Sequence, residues 1–271
     1  LENRILVTRG SENVRLTVDD LVDRLVEGDV IFVGEVHDDS LTHIVEHELL
    51  KRVSRHHRDL GVALEMFERD VQEVLDGYLS GRLTENDFLA VSRPWRNYRT
   101  AYRPLVEFAR ENRLPVLAMN IPRRYANRVA VMGERGLAAL ADSEKVWIAR
   151  ELKPLDDEYR RWFMEQIREA RPGPMKRFDP ENLYKAQCIK DDTMAESIKM
   201  FRDTHPGVKV ISYQGDFHSA FGLGVVKKLR LLDPSVKTVV VSIVPVEDIG
   251  NVDFQEHGGQ GDFLIFVQKI W

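Results

Sequence analysis

Short runs of β-branched and aliphatic residues alternate along this chain with longer stretches of helical spacing, and that alternation is the strongest constraint on its fold. Strands are expected at Val30–Gly34, Val62–Met66, Val116–Met119, Val208–Tyr213, Val236–Val244 and Phe263–Val267. Several of them are apolar at successive positions, as strands buried on both faces must be. Helices are expected near Val18–Glu27, Leu41–Ser54, Val71–Leu79, Tyr102–Asn112, Arg123–Met132, Asp156–Glu169, Leu183–Phe201 and Gly222–Leu231. Thr17 with Asp20, and Ser40 before the His43-bearing helix, are the expected N-caps. The pattern predicts an α/β fold, a mainly parallel sheet flanked by helices. Between the third and fourth strands the chain reads as helical, so a helical lobe, roughly 121–206, is inserted into one domain spanning 1–271. The clearest loop inside the lobe is Arg171-Pro-Gly-Pro174, because two prolines around a glycine cannot continue a helix.

Composition removes several alternatives. The 271 residues are 43% hydrophobic and 31% charged, which excludes collagen, low-complexity disorder and an extended coiled coil. A net charge of −5 offers no general footprint for nucleic acid, so no nucleic-acid partner is expected. The one cysteine, Cys188, allows neither an internal disulfide nor a Cys-x-x-Cys zinc site. The longest uncharged apolar run, Thr238–Val246, is too short to cross a bilayer, so no transmembrane segment is expected. The chain opens at Leu1 rather than Met, so a trimmed N-terminus is expected, one that could have carried an export signal or a lipid anchor.

Ligand-type residues gather where the strand patterns stop. In Ile31-Phe-Val-Gly-Glu-Val-His37, Glu35 and His37 are two apart and share a face while the chain stays extended. In Gly61-Val-Ala-Leu-Glu-Met-Phe67, Glu65 interrupts an apolar run and needs a cation, a metal or a proton. In Val210-Ile-Ser-Tyr-Gln-Gly-Asp-Phe-His218, Gly215 allows a tight exit and His218 follows. The carboxyl ends of strands are where open α/β sheets bind ligands. Each residue alone has a bland explanation, as a solvated strand end or an ion pair. Together Glu35, His37, Glu65 and His218 form a candidate site for a divalent transition metal that could acidify a water for hydrolysis.

Gly34-Glu-Val-His37, Ala63-Leu-Glu-Met66, Asn120-Ile-Pro-Arg123, Gln187-Cys-Ile-Lys-Asp-Asp-Thr-Met-Ala195 and Gly215-Asp-Phe-His218 resemble the ChaN family, in order and across almost the whole chain. Trp95 and Tyr102-Arg-Pro-Leu105 fit the same pattern. The resemblance implies a haem- or iron-binding protein of bacterial iron acquisition, often a periplasmic or membrane-anchored lipoprotein, and leaves room for a homodimer. The wider superfamily includes TraB and Tiki proteins and the erythromycin esterases. Its Tiki-type members are metalloproteases with paired Gly-x-x-His motifs and a glutamate. A metal-dependent hydrolase, an esterase or peptidase using Glu35, His37, Glu65 and His218, is therefore the rival reading. An interaction scaffold with a vestigial site is the third.

Further residues fit one or other reading. His43 lies on the helix after His37 and is an additional candidate metal ligand, although a polar helix face explains it as well. Asn120, Arg123 and Arg124 follow another strand end, where an arginine would grip a carboxylate or a haem propionate. Gln187, Asp191 and Met194 share a helix face. The stretch Arg93–Arg103 interleaves arginines with aromatics, suited to a planar anion. If haem is the ligand, Tyr98, Tyr102, Tyr125 and Tyr184 are the phenolate candidates, with Tyr125 first because it adjoins Arg124.

Overall fold

The computed structural model describes residues 4–10, 14–138, 140–169 and 178–269, so the expected Arg171–Pro174 loop lies outside the described residues. The chain begins with β1 (Ile5–Arg9), β2 (Arg15–Leu16), α1 (Val18–Leu25), β3 (Val30–Glu35), α2 (Ser40–His56) and β4 (Leu60–Glu68). It continues through α3 (Gln72–Leu79), α4 (Glu85–Val91), α5 (Arg103–Glu111) and β5 (Val116–Asn120). The lobe holds α6 (Arg123–Met132), α7 (Arg135–Ala138), α8 (Asp142–Lys145), α9 (Glu158–Glu169) and α10 (Pro180–Thr204). Then come β6 (Lys209–Gly215), α11 (Gly224–Leu232), β7 (Thr238–Val246) and β8 (Phe263–Gln268).

These strands form one sheet in the order β2-β1-β8-β7-β3-β6-β4-β5. All pairings from β8 to β5 are parallel, and only β1 and β2 add antiparallel edges. The six expected strands are all present. β1, β2 and α4 were not expected: β1 is only five residues long and pairs with the distant β8. α4, in contrast, carries a local signal, a capping box between Thr84 and Asp87. Thr17 and Asp20 cap α1 as expected. For α2 the cap is Asp39 rather than Ser40, because the Asp39 carboxylate accepts from both the Thr42 N–H and the Thr42 hydroxyl.

Strand alternation divides the core between two layers. Ile31, Val33, Val62 and Leu64 face α1, α2, α3 and α5, while Val30, Phe32, Ala63 and Val210 face α10 and α11. The crossover from β3 to β4 runs through α2 on the first face. The crossover from β6 to β7 runs through α11 on the other and in the opposite direction. The β3–β6 pair is thus the topological switch point, and open sheets of this kind bind ligands in the crevice at the carboxyl end of such a pair. The lobe is less separate than expected. α10 packs its carboxyl half on the sheet through Met194, Ala195 and Ile198 and its amino half among lobe residues through Ala186 and Ile189.

The free edge of β5 is covered by a side chain. Gln72 donates from Nε2 to the Val116 carbonyl at 2.8 Å and accepts from the Ala118 N–H at 2.7 Å, as a neighbouring strand would. Gln72→Ala should cost about 1–3 kcal/mol, since it strips two backbone groups of their partners. Chemical denaturation checks this. A stability within error of wild type would show that water satisfies the edge equally well.

Candidate functional site

Two imidazole–carboxylate pairs meet at the crevice, one from each strand of the switch point. On the β3 side, His37 Nδ1 lies 2.5 Å from Glu35 Oε1. A carboxylate oxygen only accepts, so Nδ1 donates and Nε2 is left without a hydrogen-bond partner from Glu35. The Tyr102 hydroxyl donates to the same oxygen at 2.7 Å. Burial alone would raise the Glu35 carboxyl, but hydrogen bonds from His37 and His43 outweigh it and hold Glu35 well below the usual carboxylate range. The same contacts raise His37 against the opposing effect of desolvation. His37 remains 40% exposed, whereas Glu35 is fully enclosed.

On the β6 side, His218 Nδ1 lies 2.6 Å from Asp191 Oδ1, and its Nε2 lies 3.2 Å from Glu65 Oε1. Tyr159 donates to the other Asp191 oxygen at 2.7 Å. Burial lowers His218, yet Glu65 and Asp191 overcome it and push the imidazole up to about 9. Glu65 moves the other way: burial raises it, but the charge and hydrogen bond of His218 bring it down to about 2.

Glu65 lies inside β4, not at its end, where the pairing with β5 shifts register between Leu64 and Glu68. Such an irregularity re-aims a side chain, and here the Glu65 carboxylate reaches across to accept from the Gly215 N–H at 2.8 Å. Asn120 braces that point by donating to the Glu65 carbonyl at 3.1 Å. Gly215 is needed for close approach rather than for an unusual turn, since its φ is −52°. A Cβ there would lie 2.9 Å from His37 Cε1 and Nε2, so the imidazole rests on the glycine backbone beside Glu65.

The loop before α5 forms one wall. Trp95 presents an edge to His37, with ring centroids 4.8 Å apart, and Asn97 donates to the His37 carbonyl at 2.9 Å. Arg96 and Arg99 are exposed on this loop. Trp162 of α9 stacks on Phe217, the neighbour of His218, with centroids 4.4 Å apart.

Glu35, His37, Glu65 and His218, expected together from their strand ends, therefore adjoin one another. Among the described residues, however, the set of three ligand-type groups whose donor atoms all lie within 4.8 Å of one another is Glu35, His43 and Glu46. His43 sits behind Glu35, with Nδ1 2.9 Å from Glu46 Oε2 and Nε2 3.0 Å from the His37 carbonyl. Hydrogen bonds to the two glutamates outweigh desolvation and push His43 up to about 10. Burial and the charge on Glu35 push Glu46 well above the usual carboxylate range.

The tyrosines are all buried. Tyr125 packs in the lobe with its hydroxyl against Arg124 at 3.0 Å, and Arg124 also pairs with Asp70 at 2.8 Å. Tyr98 is enclosed among Phe67 and Phe88, Tyr102 is tied to Glu35, and Tyr184 donates to the Leu155 carbonyl at 2.6 Å. Arg123 is exposed and forms no ion pair among the described residues. Tyr159 and Glu46 were not singled out by the sequence. Glu46 had a usable signal, its position three residues after His43 on one helix face, but a polar face accounts for that spacing equally well.

The family model described as "Haem-binding uptake, Tiki superfamily, ChaN" matches residues 21–229. The fold is similar to that of Campylobacter jejuni ChaN, in a structure described as cofacial haem binding, with a TM-score of 0.70, 18% identity and 97% of each chain covered. It is also similar to an erythromycin esterase mutant in its open conformation, with a TM-score of 0.53, 10% identity, and 97% of this chain and 83% of that one covered. A curated relative, the chloroplastic protein RETICULATA-RELATED 5 of Arabidopsis thaliana, is 28% identical over 123 residues. That match takes in 43% of this chain and only 17% of the relative's length.

Proposed function

Because the chain belongs to the ChaN family of haem-binding uptake proteins in the Tiki superfamily, we propose that it binds haem in the strand-end crevice, where His37 would supply a donor to iron, in a pathway of iron acquisition. The observation that carries this reading is the state of His37. Its ring is half-exposed, its Nδ1 is committed to Glu35, and its Nε2 is the atom left to coordinate. A ligating histidine held by a carboxylate in this way is a stronger donor. Haem also calls for flat apolar walls and cations for its propionates. Trp95 supplies a wall, and Arg96 and Arg99 are exposed cations on the same loop. The phenolates expected from the sequence lie buried, so ligation through Tyr98, Tyr102, Tyr125 or Tyr184 requires its cluster to open, whereas the His37 ring is already half-exposed.

Bound iron would supply Lewis-acid and redox capacity; the chain's own residues position the donor, wall the ring and neutralise its carboxylates. Hemin titration followed by absorbance tests the assignment. His37→Ala should weaken binding by about 100-fold, since it removes the proposed donor to iron, and Tyr125→Phe should leave the spectrum unchanged. The opposite pattern would return the ligand role to Tyr125.

A second reading is favoured by one observation, the Glu65–His218–Asp191 array beside His37. An imidazole held between two buried carboxylates and raised to about 9 is charged near neutrality, the arrangement of a general acid. Ester or peptide hydrolysis through these groups is proposed as the alternative, and it predicts turnover that is lost in His218→Ala without any change in hemin affinity.

A further inference from the structure

We propose that Glu35, His43 and Glu46 form a site for a divalent transition-metal ion, inside the protein and separate from the haem seat. The three side chains lie on β3 and the first turns of α2, behind the wall that carries His37. All three are buried, with exposures of 2%, 8% and 0%. Two of their carboxylate oxygens, Glu35 Oε2 and Glu46 Oε1, accept no hydrogen bond of good geometry, although His43 Nδ1 lies 3.3 Å from the first of them. Unpaired oxygens of buried carboxylates are costly and rare, and they ask for a cation.

The remaining contacts direct that need to one point. Glu35 Oε1 already accepts from His37 and Tyr102, which leaves Oε2 facing inward. His43 Nε2 donates to the His37 carbonyl, so the proton an incoming metal displaces is the one on Nδ1, and the lone pair uncovered there faces both glutamates. That nitrogen lies 3.3 Å from Glu35 Oε2 and 2.9 Å from Glu46 Oε2. Three acceptors are thus turned toward one another, and a backbone carbonyl fixes the tautomer as it does for metal-binding histidines. The donor atoms lie within 4.8 Å of one another, close enough for small side-chain shifts to bring them around one ion. Adjacent ligand atoms around a metal with bonds of about 2.1 Å are separated by roughly 3.0–3.4 Å in tetrahedral or octahedral geometry. One imidazole and two carboxylates select a first-row ion such as zinc, manganese or ferrous iron over calcium. A dication also leaves the buried unit neutral, which a lone proton on Glu46 achieves only together with a charged His43. The ion and that proton compete for the site.

The proposal does not depend on haem binding, and the two separate experimentally. The full chain is stripped with chelator, dialysed against zinc, and its metal content and thermal unfolding are measured. Wild type should bind one zinc per chain and unfold at a higher temperature when it does. Glu46→Gln, which preserves shape, should lose at least about tenfold in zinc affinity, with its hemin spectrum unchanged. His37→Ala should lose hemin and retain zinc. Cobalt substituted into wild type supplies a readout that needs no variant, since a nitrogen–oxygen site gives a visible ligand-field band. A wild-type protein that binds no zinc and shows no cobalt band overturns the proposal, as does zinc that persists in Glu46→Gln and departs in His37→Ala.

Discussion

Gly34→Ala should remove on the order of 3 kcal/mol of stability, a large part of what a domain of this kind holds. A Cβ at Gly34 would lie 2.3 Å from Asp216 Oδ1, 3.0 Å from Asp216 Cα and 3.0 Å from Ser219 Oγ. The Asp216 side chain is held by Gln260 at 2.7 Å, and its Cα is backbone, so neither yields easily. β3 cannot retreat either, because it is paired on both sides with β6 and β7. Gly215→Ala should behave differently. Its Cβ would strike the His37 ring, which sits at the exposed end of a side chain and can swing away. The cost in stability should be about 1 kcal/mol, but the Glu35–His37 bond breaks and hemin affinity falls with it. Urea denaturation and hemin titration of both variants measure the split. Equal effects on stability would refute the claim that one glycine serves the fold and the other the site.

Stability should also fall as pH rises above neutrality, and His218 should be a principal cause. The group titrates near about 9 when folded and about 6.5 when unfolded. Its stabilisation is therefore complete below about 6.5 and is lost as pH rises through about 9, by at most on the order of 3 kcal/mol. Glu65 works in the opposite sense: from an ordinary value of 4.5 it is lowered to about 2, so its contribution is present above 4.5 and disappears as acid approaches 2. His218→Gln should be less stable than wild type at pH 6, because Glu65 and Asp191 lose their shared cation. Its stability should then decline much less between pH 7 and 10. Urea unfolding at stepped pH gives both curves, and parallel slopes would remove His218 from the account.

The sheet was legible because its strands are buried on both faces and so write themselves as continuous apolar runs. β1 was not, because one short edge strand pairs with a segment more than 250 positions away, and nothing local announces that. The four residues Glu35, His37, Glu65 and His218 could be read from the sequence because chemistry at the carboxyl ends of parallel strands interrupts an apolar pattern. Asp191 and Tyr159 belong to helices of the lobe, where polar residues are ordinary and only packing aims them at His218. Gly215 was read as a tight exit, yet its backbone is conventional; what it provides is room for His37, a property of two strands brought together.

The central claim, that His37 holds haem iron, is tested most directly by resonance Raman spectroscopy of the ferrous haem complex. The account predicts an iron–imidazole stretching band in wild type that disappears in His37→Ala and returns when free imidazole is added. A ferric complex showing phenolate-to-iron charge transfer that survives His37→Ala would contradict it.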